Sequence, residues 1–175
     1  MSRIIVGALA CGLFAAGIGV GYAARHTIEP ASYQGRAKPD AAKALLDAAL
    51  VQAGPKGSWE RIGVARVWYL AGHKAEAEAI FAPLLGAKAD DSDIWRIARV
   101  YREAGEWSKA KALFERYLAS NPEDEKGLAE VGAYHLLEGD REAAERLFAR
   151  SFAITDEVWA TIAAGGAYLG VQPQE

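Results

Sequence analysis

Apolar positions follow two patterns along this chain. Residues 4–24, IIVGALACGLFAAGIGVGYAA, contain no charge, whereas beyond Asp40 apolar residues recur at intervals of three and four among charged ones. The first pattern predicts a helix of about 30 Å, long enough to cross a bilayer core. The second predicts amphipathic helices, each burying one stripe. Between them, RHTIEPASYQGRAKPD (25–40) has Pro30, Gly35 and Pro39 and no periodic face. It reads as a tether. The chain thus divides into a membrane anchor or signal segment (1–24), a flexible tether (25–40) and an all-α body (41–175).

Within the body, a first helix is expected from Pro39-Asp40, with Asp40 as its cap, to a stop at Gly54-Pro55. Leu45, Leu46, Ala49 and Leu50 make its apolar stripe, and it reads as a solitary helix or the second half of a leading repeat. Three helix pairs are predicted next, at 58–71 with 73–85, 93–104 with 106–120, and 125–138 with 140–154. A last helix at 157–169, carrying Trp159, Ile162 and Tyr168, is expected to cap the third pair.

The pairs repeat one design. Gly72, Gly105 and Gly139 lie 33 and 34 residues apart. Each is preceded at seven residues by a small residue (Ala65, Ala98, Gly132) and at four by a ring (Trp68, Tyr101, His135). Each is followed at five by Ala77, Ala110 or Ala144 and at nine by Phe81, Phe114 or Phe148. Glycine can take the left-handed conformation that ends a helix. The small residues let paired helices approach, and the phenylalanines plug the gap to the next pair. A single pair cannot bury its apolar face alone, so the units must stack.

With these positions in place the chain resembles the tetratricopeptide repeat family over residues 58–156, in units of about 58–90, 91–124 and 125–158. The segment DIWRIARVYREAGEWSKAKALFERYLASNPED has the small residue, tyrosine, glycine, alanine, phenylalanine and closing proline in family order. The flanking units depart from it at Arg61, Pro83, His135 and Asp156. The resemblance implies a right-handed superhelix whose first helices line a concave groove that holds a peptide, a partner helix or an acidic segment. Carried over residue by residue, the groove face is Ile62, Arg66, Tyr69 and Leu70, then Trp95, Arg99 and Arg102, then Ala129, Ala133 and Leu136. Arg66, Arg99 and Arg102 could meet a partner's carboxylates through forked hydrogen bonds. The competing reading is that these arginines pair with Glu103 or Glu106 and only solvate the helices.

Charge and candidate chemistry narrow the function further. A formal net charge of -3 supplies no basic field for nucleic acid. The single cysteine, Cys11, sits in the apolar run, so the chain has no internal disulfide or zinc–thiolate site. The three histidines, His26, His73 and His135, are far apart in sequence. The acidic clusters at Asp90-Asp91-Asp93 and Glu123-Asp124-Glu125 suit helix N-termini rather than calcium. No phosphate-binding loop, dinucleotide fingerprint or nucleophile elbow occurs. The expectation is a protein without enzymatic activity, cofactor, metal or small-molecule substrate.

At the N-terminus three alternatives stand open: a retained signal anchor, a cleaved export signal ending near Gly21-Tyr22-Ala23-Ala24, and lipidation at Cys11. Gly17 and Gly21 form a GxxxG pair that could bring two membrane helices together. Arg25, Arg36, Lys38 and Lys43 favour a cytoplasmic body by charge count, but long domains cross largely regardless of charge. The reading adopted is a body outside the cytoplasm. The functional expectation is a membrane-tethered scaffold that recruits a protein during assembly or stabilisation of a membrane or envelope complex. The alternative is an accessory subunit held in such a complex by its membrane helix.

Overall fold

The computed structural model describes residues 27–174, and among them are eight α-helices and no strand. The apolar run at 4–24, Cys11 and the Gly17/Gly21 pair lie outside the described residues. Among those described, no helix is long and apolar enough to cross a membrane.

Part of the expected tether is structured. A 3-10 turn occupies Pro30–Ser32, and the Arg36 guanidinium donates to the Ala31 carbonyl at 3.0 Å. The first helix, α1 (Lys38–Ala53), begins earlier than expected. Its N-cap is Ala37 rather than Asp40, because Pro39 fits the first turn, where no amide partner is required. Asp40 instead places its charge in that turn.

The remaining helices are α2 (Ser58–Leu70), α3 (Lys74–Leu84), α4 (Asp91–Glu103), α5 (Trp107–Ser120), α6 (Glu125–Leu137), α7 (Arg141–Ile154) and α8 (Val158–Tyr168). Each lies within two residues of its predicted span. The most extensive packing is between α6 and α7, α4 and α5, α6 and α8, and α2 and α3, with α1 laid against α2. Pro83 sits one residue before the end of α3, where its missing N–H costs the helix little further length.

Helix boundaries follow local chemistry. Gly72, Gly105 and Gly139 have φ of 89°, 74° and 88°, and the next amides, of His73, Glu106 and Asp140, reach back to Trp68, Tyr101 and His135. This is the two-bond closure of a left-handed helix end. Gly170 (φ 77°) closes α8 the same way, with Val171 reaching Gly166. At the starts, Asp90, Asp124, Asp140 and Glu157 accept from the backbone amides of Ser92, Gly127, Ala143 and Ala160.

The repeated small residues and rings form the core. Ala65, Ala77, Ala98, Ala110 and Ala144 are fully buried, as are Phe81 and Phe114. At Gly132 a Cβ would lie 2.7 Å from the Phe148 ring, so only glycine allows α6 and α7 their separation. Each phenylalanine meets a ring on the following first helix: Phe81 with Tyr101 (centroids 5.7 Å), Phe114 with Tyr134 (5.4 Å) and Phe148 with Tyr168 (6.0 Å).

Candidate partner-binding face

The N-caps of α2, α4, α6 and α8 are Gly57, Asp90, Asp124 and Glu157, spaced 33, 34 and 33 residues apart. Register therefore continues into α8, and corresponding positions on these helices can be compared directly. Two places after the cap stand Trp59, Ser92, Lys126 and Trp159. Both tryptophans are more than half exposed. Trp59 borders a cleft of about 160 Å³ with Ile62, Gly63, Arg66, Arg96, Arg99 and Glu103. Trp159 borders a cavity of about 640 Å³ with Lys126, Glu130, Ile162 and Gly166, covered in part by Val171, Gln172, Pro173 and Gln174.

The residues expected to face a partner divide into two groups. Ile62, Tyr69, Ala129 and Ala133 are buried; Ile62 reaches the wall of the Trp59 cleft, and the other three shape the face from beneath. Leu70 is exposed, Leu136 half-buried, and Trp95 half-buried against Phe114 and Tyr117 at centroid distances of 5.0 and 4.5 Å. The mismatch arises because the family-derived set follows a spacing of three and four around the helix, and that arc extends past the open side into the neighbouring helix.

The expected arginines already have carboxylate partners on the following first helix or at its C-terminal end. Arg66 forks onto Glu103, with one bond of 2.5 Å from Nε to Oε2. Arg99 forks onto Glu130 at 2.8 and 2.7 Å, and Arg102 meets Glu138 at 3.2 Å. The competing reading of these cations as structural thus describes Arg66 with Glu103. Glu106 is engaged elsewhere. Arg96, which sequence reasoning missed, holds its guanidinium 3.6 Å from the Trp59 ring centroid and forms no ion pair among the described residues. Trp59 Nε1 donates to Ser92 Oγ at 3.3 Å, which fixes the indole against α4. A signal for Arg96 existed, since it sits one turn before Arg99 on the same helix.

Tyr69 belongs to a polar joint between the first two hairpins. Its hydroxyl donates to Glu106 at 2.6 Å and accepts from Lys109 at 2.9 Å. Lys109 also reaches Glu78 and Glu106, both at 2.9 Å, and Lys74 pairs with Glu106. Hydrogen bonds from Lys74, Tyr69 and Lys109 hold the Glu106 carboxyl down at about 2. A glutamate in an unfolded chain titrates near about 4.3. The folded form therefore stays ionised where the unfolded form takes up a proton. Its contribution is complete above that range and is lost as pH falls towards 2. Thermal melts between pH 5 and 2 should fall more steeply for the native chain than for Glu106→Gln; parallel slopes would remove Glu106 from the acid response.

His135 takes a packing role, edge-on to Trp107 with centroids 5.1 Å apart and Nδ1 3.1 Å from Asp140. Among the described residues no group of three or more His, Cys, Asp or Glu side chains could hold a metal ion. The face offers aromatic surface, an aliphatic cavity wall and cations beside carboxylates, which suits docking of another chain. No family model, curated protein or solved structure matches the chain.

Proposed function

We propose that this protein is a membrane-tethered scaffold of the tetratricopeptide type, with the body outside the cytoplasm and residues 4–24 as the anchor. On this reading α2, α4, α6 and α8 present one superhelical face that holds a segment of a partner protein. The observation that carries it is the pair of exposed tryptophans, Trp59 and Trp159, at the same repeat position, each bordering a cleft between successive first helices. Aromatic and arginine side chains dominate binding energy where a partner desolvates them. The partner segment offers apolar side chains to the two clefts and a carboxylate to Arg96.

Full-length protein purified from membranes in mild detergent tests this reading. A stoichiometric protein partner is expected with the native chain and is expected to be lost from the Trp59→Ala/Trp159→Ala variant, with helical content unchanged. Both indoles are exposed, so their truncation leaves the core intact. Equal retention of the partner by the variant would reject the face.

A further inference from the structure

We propose that copies of this chain associate end to end, with α1 of one copy docking on the open flank of α8 of another. Among the described residues, helix α8 repeats the first-helix design without a second helix against its Gly165 flank. Eight residues after the caps of α2, α4, α6 and α8 come Ala65, Ala98, Gly132 and Gly165, and eleven after come Trp68, Tyr101, His135 and Tyr168. In α6 the small position is closed by Phe148 and Ala144 of the paired helix; at Gly165 a Cβ would meet nothing within 4 Å. Tyr101 is 4% exposed and Tyr168 51%. The same contrast holds on the preceding second helix, where Leu118 of α5 is 8% exposed and its counterpart Phe152 of α7 is 38%.

The first of the described α-helices carries the complementary piece. Residues 42–50 read AKALLDAAL and residues 110–118 of α5 read AKALFERYL, identical at five of nine positions. Helix α1 is therefore a second helix by pattern, yet none of its residues is buried. Ala42 is exposed, whereas Ala77, Ala110 and Ala144 are fully buried against their paired helices.

Charge is compatible with the same pairing. The Tyr168 hydroxyl donates to Glu145 at 3.0 Å, repeating the 2.7 Å bond from Tyr101 to Glu78 two units earlier. At the earlier site the incoming helix α5 brings Lys109 to Glu78. At the later one Arg141 of the same chain already holds Glu145 at 2.7 Å, so no incoming cation is required. Helix α1 brings none there: Ala41 stands where α5 has Lys109. No residue from 158 to 171 is charged, and α1 is apolar at the exposed Ala42 and at Leu46, Ala49 and Leu50, which are only partly buried where they pack on their own chain's core. A contact between two different surfaces propagates from copy to copy or closes into a ring. It uses a flank of α8 distinct from the side that holds Trp159.

Cross-linking of the full-length protein in mild detergent tests the contact. In a Cys11→Ser background, Ala42→Cys on one tagged copy and Gly165→Cys on a second, differently tagged copy are mixed and treated with a short bismaleimide. The mixed pair should give a dimer carrying both tags, and neither variant alone should cross-link. No mixed dimer, or an equal dimer from Gly165→Cys alone, would overturn the proposal, the latter by showing α8 against α8. Gly165→Arg supplies an independent arm, because the open position accepts a side chain without disturbing the fold. Sedimentation should show the native mass rising with protein concentration and the variant remaining monomeric at an unchanged melting temperature. The same concentration-dependent rise in the variant would also overturn it.

Discussion

Phe114→Ala is expected to destabilise the body by about 3–5 kcal/mol, the range for truncating a fully buried phenylalanine without collapse of the site. Phe114 has no exposed surface and lies between Trp95 of α4 (centroids 5.0 Å) and Tyr134 of α6 (5.4 Å). Its removal opens a void at the joint between two hairpins, whose helix backbones are held by other contacts and cannot close it. A domain of this size loses about 2–4 °C of melting temperature per kcal/mol. A drop of about 6–20 °C should therefore appear in thermal melts followed by circular dichroism. Phe114→Leu keeps most of the volume and should recover the larger part of the loss. A melt for the alanine variant within a degree or two of native would mean that the joint contributes little.

Glu130→Ala is the second large effect, expected at about 2–3 kcal/mol. This one carboxylate accepts both arms of Arg99, at 2.8 and 2.7 Å, and the Tyr134 hydroxyl, at 2.8 Å. Its side chain is 13% exposed and that of Arg99 26%, so water can replace little of what is removed. Hydrogen bonds to charged groups contribute about 1.5–3 kcal/mol, and here a partly buried cation loses its forked carboxylate. Glu130→Gln keeps an acceptor for Tyr134 but loses the charge facing Arg99, and should fall between alanine and native. Urea titrations of Arg99→Ala, Glu130→Ala and the double variant form the decisive cycle. Coupling of about 1 kcal/mol or more is expected; strict additivity would show that the fork has no net effect on stability.

These two residues differ in how openly the sequence declares them. Phe114 is visible as one of three phenylalanines in register, because a core position repeats wherever the packing unit repeats. Glu130 gives no such sign. Its partner lies 31 residues away, and Arg66 and Glu103 are 37 apart, so neither separation equals the repeat. A charged pair across two helices depends on their relative rotation and offset, which no local spacing encodes. For the same reason Tyr69 reads as an open-face residue in sequence but is buried beside Glu106 and Lys109. A period of three and four defines an arc on one helix. How much of that arc remains open is decided by the helix that packs beside it.

What the sequence alone determined was the all-α class, the helix spans to within two residues, the glycine stops at Gly72, Gly105 and Gly139, and the alternation of small residues with rings at the core. Those features arise from interactions inside one helix or between helices adjacent in the chain, where spacing is a direct proxy for distance. Only the tertiary structure decided that Arg66, Arg99 and Arg102 are tied to Glu103, Glu130 and Glu138, and that Arg96 lies over Trp59. It also decided that α8 keeps the register of a first helix while leaving Gly165 and Tyr168 uncovered. Each of those outcomes depends on how helices more than thirty residues apart are placed against one another. That placement is set by the fit of whole surfaces, which local periodicity does not specify.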